Sequence, residues 1–428
     1  MRRITTFEHS RLPIYSSGFP ENGITVQEAH WLYSWEEKRR AAGASPVFEW
    51  EYAKALKTRD QIGVIQLPTL TLEILPKISQ EETVQEQLNT QRALLTMLHL
   101  TQTIPPGFPS LAPLLTVNFS FLEVLTLLFA EGLLQNLQQG IPHDFVREEQ
   151  PLPFVRGRLL ISRQILSNPG QPLPLWNTYP AYITDTPANR LLKCASQKLV
   201  TAATHEHTRT LLRQVLHLLE TIPTVSPREA IAYPIPSTPR YQSLQPYLTF
   251  SRWVLQQQTP AFQQGTAVSF SLLFSMPELF ESFVTQLLHR YQASLGLSNA
   301  SLHPQPREHA LLYYQKTRQT SHQLQPDLII REEARVRVLD TKWKRLSKPV
   351  PSREDLYQMA AYALAYSNAE LLLVYPATRT IQGIHPAVLQ PTQQPLTLVF
   401  LPLHTLADSP HTLLPLFKEA FTTKKPDS

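Results

Sequence analysis

Two aspartates and a lysine, Asp327, Asp340 and Lys342, flank a segment patterned as a β-hairpin. Leu328-Ile329-Ile330 is a short apolar run, and Val336, Val338 and Leu339 begin a second. The polar Arg331-Glu332-Glu333-Ala334-Arg335 between them reads as the turn. Folding about Glu333-Ala334 places Asp327 opposite Asp340. Directly opposed residues share a sheet face with Cβ atoms roughly 5 Å apart, and Lys342, two residues beyond Asp340, shares that face. Two carboxylates this close repel, and one protonates unless a cation sits between them. Mg²⁺ takes one or two protein carboxylates and fills its other positions with water and substrate phosphate oxygens. Such an ion lowers the pKa of bound water and clamps the phosphate under attack. Lys342 could hold the nucleophilic water or offset charge on the pentavalent phosphate. The chemistry this pattern implies is metal-assisted phosphodiester hydrolysis. The plainer alternative is a surface hairpin with an Asp–Lys ion pair; the Pro326-Asp327 start, the register and the flanking helices favour the metal site.

Further elements must position this group. Ser275-Met276-Pro277-Glu278 opens a helix, with Ser as cap, Pro in the first turn and Glu at the third position. Its buried stripe is Leu279, Phe280, Phe283, Val284, Leu287 and Leu288, running to about Ala293; Glu281 lies at the edge, where a carboxylate can project over a sheet. Ser352-Arg353-Glu354-Asp355 caps a later helix, on which Gln358 and Tyr362 share a face at i, i+4. Leu371–Pro376 and Leu396–Leu401 are continuous apolar runs, as in strands buried on both faces. Hairpin, helix and buried strand make an α/β sandwich about one mixed sheet. Trp343-Lys344-Arg345 and Lys348 form either a solvated basic loop or a salt-sensitive contact to DNA phosphates.

Pro326-Asp327 followed by Asp340-Thr341-Lys342 resembles the PD-(D/E)XK nuclease core. With Trp343-Lys344-Arg345 and Asp355-Leu356-Tyr357-Gln358-Met359-Ala360-Ala361-Tyr362-Ala363, the region resembles the nuclease domain of the McrC family, the cleavage subunits of McrBC modified-cytosine restriction systems. The resemblance implies a Mg²⁺-dependent DNA endonuclease using Asp327, Asp340 and Lys342. It implies Glu281 as a further metal or metal-water ligand and the main-chain carbonyl of Thr341 as another. Gln358-x-x-x-Tyr362 resembles the extra motif of RecB-type members, which supports the site and contacts DNA.

Upstream, Ile62-Gly63-Val64-Ile65-Gln66-Leu67-Pro68 and Leu70-Thr71-Leu72-Glu73-Ile74-Leu75-Pro76-Lys77-Ile78 read as a second hairpin. No chemistry follows from it, yet it is similar to the Gly-Val-Ile and Ile-Leu-Pro-Lys signature near the start of McrC proteins. Helices are expected at about 26–40, with Trp31 and Trp35 on one core face, then at 82–103, 119–139, 184–222 and 247–258. Pro105–Pro109 reads as a rigid connector, Gln263-Gln264-Gly265 as a loop, and Thr422–Ser428 as a disordered tail. Arg156-Gly157-Arg158 and Arg163 resemble a family segment; they form a solvated loop or a contact to the partner ring or DNA. His205 and His207, at i, i+2, face different ways on a helix and argue against a metal site.

The chain has 428 residues, 42% of them hydrophobic, enough for two or three domains. A net charge of +5 and a pI of about 9.1 suit a polyanionic partner. One cysteine, Cys194, excludes an intramolecular disulfide framework and a multi-cysteine zinc site, and points to a reducing cytoplasm. Met1–Glu8 lacks a signal-peptide core. Phe119–Leu134, the most apolar helical stretch, is too short and too charged to span a membrane. Thirty-eight prolines against twelve glycines imply stiff loops.

The expected organisation is an α+β N-terminal region (1–165) with a helical middle segment and linker (166–265), then an α/β PD-(D/E)XK, restriction-endonuclease-like domain (266–428). By resemblance, the N-terminal region docks on and stimulates an McrB-like AAA+ GTPase hexamer, and the substrate is double-stranded DNA. No G-x-x-x-x-G-K-[ST] occurs in the chain, so nucleotide-driven translocation and reading of the modified cytosine fall to the partner. An inactive regulator of that GTPase and a free-standing RecB-like repair nuclease are the rival readings.

Overall fold

The structure is a computed structural model that describes residues 2–16, 18, 22–52, 54–78, 84–101, 103–104, 120–235, 238–256, 270–316, 318–333, 335–390, 392–407 and 409–422. The connector expected at 105–109, the loop at 263–265 and the tail after Thr422 lie outside them. The chain divides into two compact units. One comprises the described residues of Met1–Thr103, Ser110–Phe121 and Thr259–Ser428; the other comprises those of Ile104–Pro109 and Leu122–Gln258. These bounds differ from the expected divisions at 165 and 265. The reason is a strand: Phe270–Ser275 pairs antiparallel with Gln61–Gln66 and so joins the start of the chain to its last third.

That pairing completes a four-stranded sheet in the order Arg2–Phe7, Leu70–Leu75, Gln61–Gln66, Phe270–Ser275. Its two middle strands are the expected hairpin about Pro68-Thr69, and Arg2–Phe7 runs parallel to Leu70–Leu75. Nearly every residue of the hairpin is buried, the polar Gln66, Thr71 and Glu73 among them. Gly63 has φ +131°, and a Cβ there would lie 1.9 Å from the Leu272 carbonyl oxygen. Strands meet here at a distance only glycine allows. Gly63→Ala should therefore cost on the order of 3 kcal/mol from backbone strain and overpacking. Denaturant titration would read this as a lower midpoint; an unchanged midpoint would mean that the two strands do not meet at Gly63.

The second sheet of this unit has six strands, in the order Ser301–Pro304, Leu328–Arg331, Val336–Thr341, Glu370–Pro376, Gln394–Leu401, Gly383–Leu389. The three strands Val336–Thr341, Glu370–Pro376 and Gln394–Leu401 are mutually parallel, and the remaining pairings are antiparallel. Ile329, Val338, Leu371 and Leu373 pack with Met359, Tyr362 and Ala363 of the helix Arg353–Ala365 in one core. That helix starts as expected, with the Ser352 side chain accepting from Asp355 N at 3.2 Å. The helix Met276–Arg290 buries the expected stripe, but Ser275 makes no side-chain cap; Met276 N donates instead to Asp60 O at 3.0 Å. A neighbouring backbone carbonyl takes the role that a serine hydroxyl would otherwise fill.

In the other unit, the expected single helix over 184–222 is two, Pro187–Ala202 and Glu206–Leu218. Thr186 caps the first, as expected. The break is held by Glu123, buried in the helix Phe121–Gln138. Its carboxylate accepts Thr204 N and Oγ1, both at 2.7 Å, and His205 N at 3.2 Å. A buried acid with three donors stabilises a break that apolar periodicity does not reveal. A three-stranded sheet of Asp144–Leu152, Leu175–Ile183 and Arg158–Leu159 carries the arginine segment. Arg156 stacks 4.0 Å over the Tyr179 ring and Arg163 lies 4.1 Å over Trp176. Gly157, at φ +73°, leaves no room for a Cβ beside Thr178 O. Arg156, Gly157 and Arg163 each thus have an intramolecular packing contact. Among the described residues, no helix is long and apolar enough to cross a membrane.

Candidate metal centre

Leu328 pairs with Leu339 and Ile329 with Val338, the register expected from the turn. Extended by one step, it sets Asp327 beside the end of the strand that carries Asp340. Thr341 N and Oγ1 both donate to Asp327 Oδ2 at 2.6 Å. The Lys342 ammonium lies 2.5 Å from Asp340 Oδ2 and donates to Gln358 Oε1 at 2.8 Å. Gln358 Nε2 donates to the Tyr362 hydroxyl at 2.8 Å and to Asp340 Oδ1 at 3.3 Å. Tyr362 OH lies 3.4 Å from Asp340 Oδ1 and donates to Gln325 O at 3.0 Å. Strand alternation puts Asp340 and Lys342 on the face covered by this helix. The expected carboxylates, lysine, glutamine and tyrosine thus converge.

Their electrostatics are strained without a cation. Burial pushes the Asp340 carboxyl up to about 6; Asp327's charge adds to this, and Lys342 opposes it. Burial raises Asp327 also, against the two Thr341 bonds. Asp340 Oδ2 is buried, and the Lys342 ammonium meets it at 2.5 Å. Two largely buried carboxylates this close, with a single ammonium beside them, suit a hard divalent cation. Among the described residues, no three His, Cys, Asp or Glu side chains come together as a ready-made cage. An ion here would rest on Asp327 and Asp340, with water and substrate completing its shell.

Glu281 faces the same cavity, of about 740 Å³, as Asp327, Thr341 and Lys342. It accepts from Gln305 Nε2 at 2.6 Å, and burial followed by Asp327's charge raises its carboxyl. Lys344 pairs with Asp355 at 2.8 Å, and Arg345 donates to Ile78 O at 2.9 Å, so both have intramolecular roles. Tyr362 is 1% exposed, which leaves it no surface to offer a ligand. Gln358→Ala should weaken divalent-ion binding roughly 10-fold by freeing Lys342 and Asp340. Calorimetric titration with Mn²⁺ measures it; unchanged affinity would show that the amide does not shape the site.

The same cavity is lined by residues that the sequence reading gave no chemistry: Glu8, His9, Asp60 and Lys77. Glu8 is buried and accepts Trp343 Nε1 at 2.8 Å and Lys77 N at 2.7 Å. Burial raises its carboxyl. No local pattern could have found these residues, because the site lies hundreds of positions away along the chain. The one signal was Lys77, in the Ile-Leu-Pro-Lys stretch.

Fold and site together define a mixed α/β protein with a cleft rich in charged groups at the end of a hairpin in its six-stranded sheet. The family model for the McrBC 5-methylcytosine restriction system component matches residues 56–376, and the chain belongs to that family. It is similar to a chain of a refined half-complex from a tetradecameric assembly of Thermococcus gammatolerans McrB AAA+ hexamers with bound McrC. The identity is 19%, the TM-score 0.73, and coverage 98% of this chain and 99% of that one. A chain in the cryo-EM structure of the Thermococcus gammatolerans McrBC complex matches with 21% identity and TM-score 0.53, over 67% of this chain and 87% of that one. No curated protein matches.

Proposed function

We propose that this chain is the DNA-cleaving subunit of a modification-dependent, methylcytosine-directed restriction complex, with a PD-(D/E)XK site. The observation that carries the reading is the convergence of Asp327, Asp340 and Lys342 in a chain of this family. Asp327 and Asp340 would hold Mg²⁺, with Glu281 and the Thr341 carbonyl as further ligands, directly or through water. The ion supplies a more acidic water and neutralises charge on the phosphate. The chain's own residues do the positioning. Thr341 fixes the Asp327 carboxylate through two bonds, and Gln358 and Tyr362 orient Asp340. Lys342, tethered by Gln358, aligns the nucleophilic water or meets charge building on the phosphate. Lys344 and Arg345 line the cleft and add positive potential for double-stranded DNA.

The partner in this reading is an McrB-like AAA+ GTPase hexamer, which the chain binds and stimulates. Two similar folds come from assemblies that contain McrB, and the chain carries no P-loop motif of its own. The test is cleavage of methylated and unmethylated plasmid with Mg²⁺, with and without a neighbouring GTPase and GTP. Cleavage that needs partner, GTP and methylation is the expected result. Cutting with Mg²⁺ alone would favour a free-standing repair nuclease. Stimulated GTP hydrolysis with no cutting would leave a regulator.

A further inference from the structure

We propose that His9 and Lys77, delivered by the N-terminal sheet, bind a DNA backbone phosphate flanking the scissile one, so that the cleft is built from both ends of the chain. The inference rests on the nuclease reading of Asp327, Asp340 and Lys342. Its first support is shared space. His9, Asp60 and Lys77 line the same cavity as Glu281, Asp327, Thr341 and Lys342. At about 740 Å³ that cavity is of a size that holds a whole drug-sized ligand, more than one phosphodiester needs.

The second support is how firmly the two side chains are delivered. Glu8, buried, accepts both Lys77 N and the Trp343 indole N–H, and Trp343 directly follows Lys342. His9 sits in a tight turn with φ +58°; its N–H donates to Thr58 O at 3.1 Å, and Ser10 N donates to Thr58 Oγ1 at 3.0 Å. Its Nε2 lies 3.0 Å from Asp60 Oδ1, while Asp60 O accepts the first N–H of the helix that carries Glu281. Both positions are therefore locked to elements of the Asp327–Asp340 site. An unpurposed surface histidine would need no such anchoring.

The third support is chemical. The acids that line the cleft, Glu8, Asp60, Glu278, Glu281 and Asp327, suit a cation and repel phosphate. His9, Lys77, Lys342, Lys344 and Arg345 are the groups near it that attract phosphate. The Asp60 bond keeps the His9 ring protonated to higher pH than usual, and the second ring nitrogen remains as an N–H donor. Lys77 is exposed and adds a mobile ammonium. Paired through Asp60, His9 contributes direction; Lys77 contributes charge.

The test uses the full-length chain in whichever assembly the wild type cuts DNA. Binding of a duplex oligonucleotide is measured in an Asp340→Asn background across a salt series, for His9→Ala, Lys77→Ala and Lys77→Arg. Each alanine variant should flatten the slope of log K against log salt by about 0.9, one phosphate contact. Lys77→Arg should restore it. In the cleavage-competent chain, each alanine variant should raise KM several-fold while kcat stays within about two-fold, as for lost uniform binding. Unchanged slope and KM in both variants, with wild-type cleavage intact, would overturn the clamp and leave the nuclease reading standing. A wild type that neither binds nor cuts DNA would overturn both. Lys77 is solvent-exposed, so its truncation keeps the test valid if His9→Ala misfolds.

Discussion

Asp340→Asn should abolish DNA cleavage and, in the metal-free protein, stabilise the fold. The asparagine keeps the shape but removes a charge that the proposed Mg²⁺ would need. Lewis-acid stabilisation of the phosphate amounts to several kcal/mol, so the rate should fall about 10³-fold or more. The stability effect follows from burial. The Asp340 carboxyl, ordinarily near 3.8, is held up to about 6. Between those values the folded chain keeps a proton that the unfolded chain has released. Stability of the metal-free wild type therefore falls as pH rises from about 4 to 6, and the full cost is present above 6. That cost is on the order of 3 kcal/mol, already net of the attraction of Lys342. Melting curves at pH 4 and pH 8 should show Asp340→Asn gaining only at the higher pH, and Mg²⁺ should stabilise the wild type far more than the variant. Retained cleavage, or no gain at pH 8, would move the critical charge elsewhere.

Glu73→Ala should be among the most damaging single changes to the fold. Glu73 is fully buried in the strand Leu70–Leu75. Its carboxylate accepts Arg3 Nε at 3.0 Å and Nη2 at 2.5 Å, Thr5 Oγ1 at 3.2 Å, Gln91 Nε2 at 3.2 Å and Phe121 N at 2.7 Å. One side chain thus ties together a neighbouring strand, the helix Val84–Leu100 and the backbone at Phe121. Removing it leaves several of those donors unsatisfied, at a cost of about 3–5 kcal/mol. Urea titration of Glu73→Ala, beside Glu73→Gln as the milder change, measures the loss. A shift below about 1 kcal/mol would mean that water replaces the carboxylate and that the strand is less enclosed than drawn.

The two predictions differ in how much the sequence could say about them. The Asp340 environment was legible because its determinants are local. The short turn between the two strands sets the register, β-strand period sets the face, and helical period puts Gln358 and Tyr362 together. Glu73 was invisible: it sits in an apolar run where only its five donors, scattered from Arg3 to Phe121, explain an acid. The break at Ala203–His205 was hidden for the same reason, since Glu123 lies some eighty residues earlier in the chain.

From residue types and spacing alone followed the hairpins, the helices beside the site, the shared face of Asp327, Asp340 and Lys342, and the chemistry these could perform. Each depends on contacts within a few residues or across one turn, where backbone geometry leaves little choice. Only the tertiary structure decided that Phe270–Ser275 closes the N-terminal sheet against Gly63 and that Glu8 clasps Lys77 and Trp343. It also brought His9 and Asp60 to the cleft. Those contacts join residues up to 335 positions apart. Nothing in local periodicity encodes them, because the free energy that selects such a pairing comes from burial and hydrogen bonding among elements that do not exist until the chain has folded.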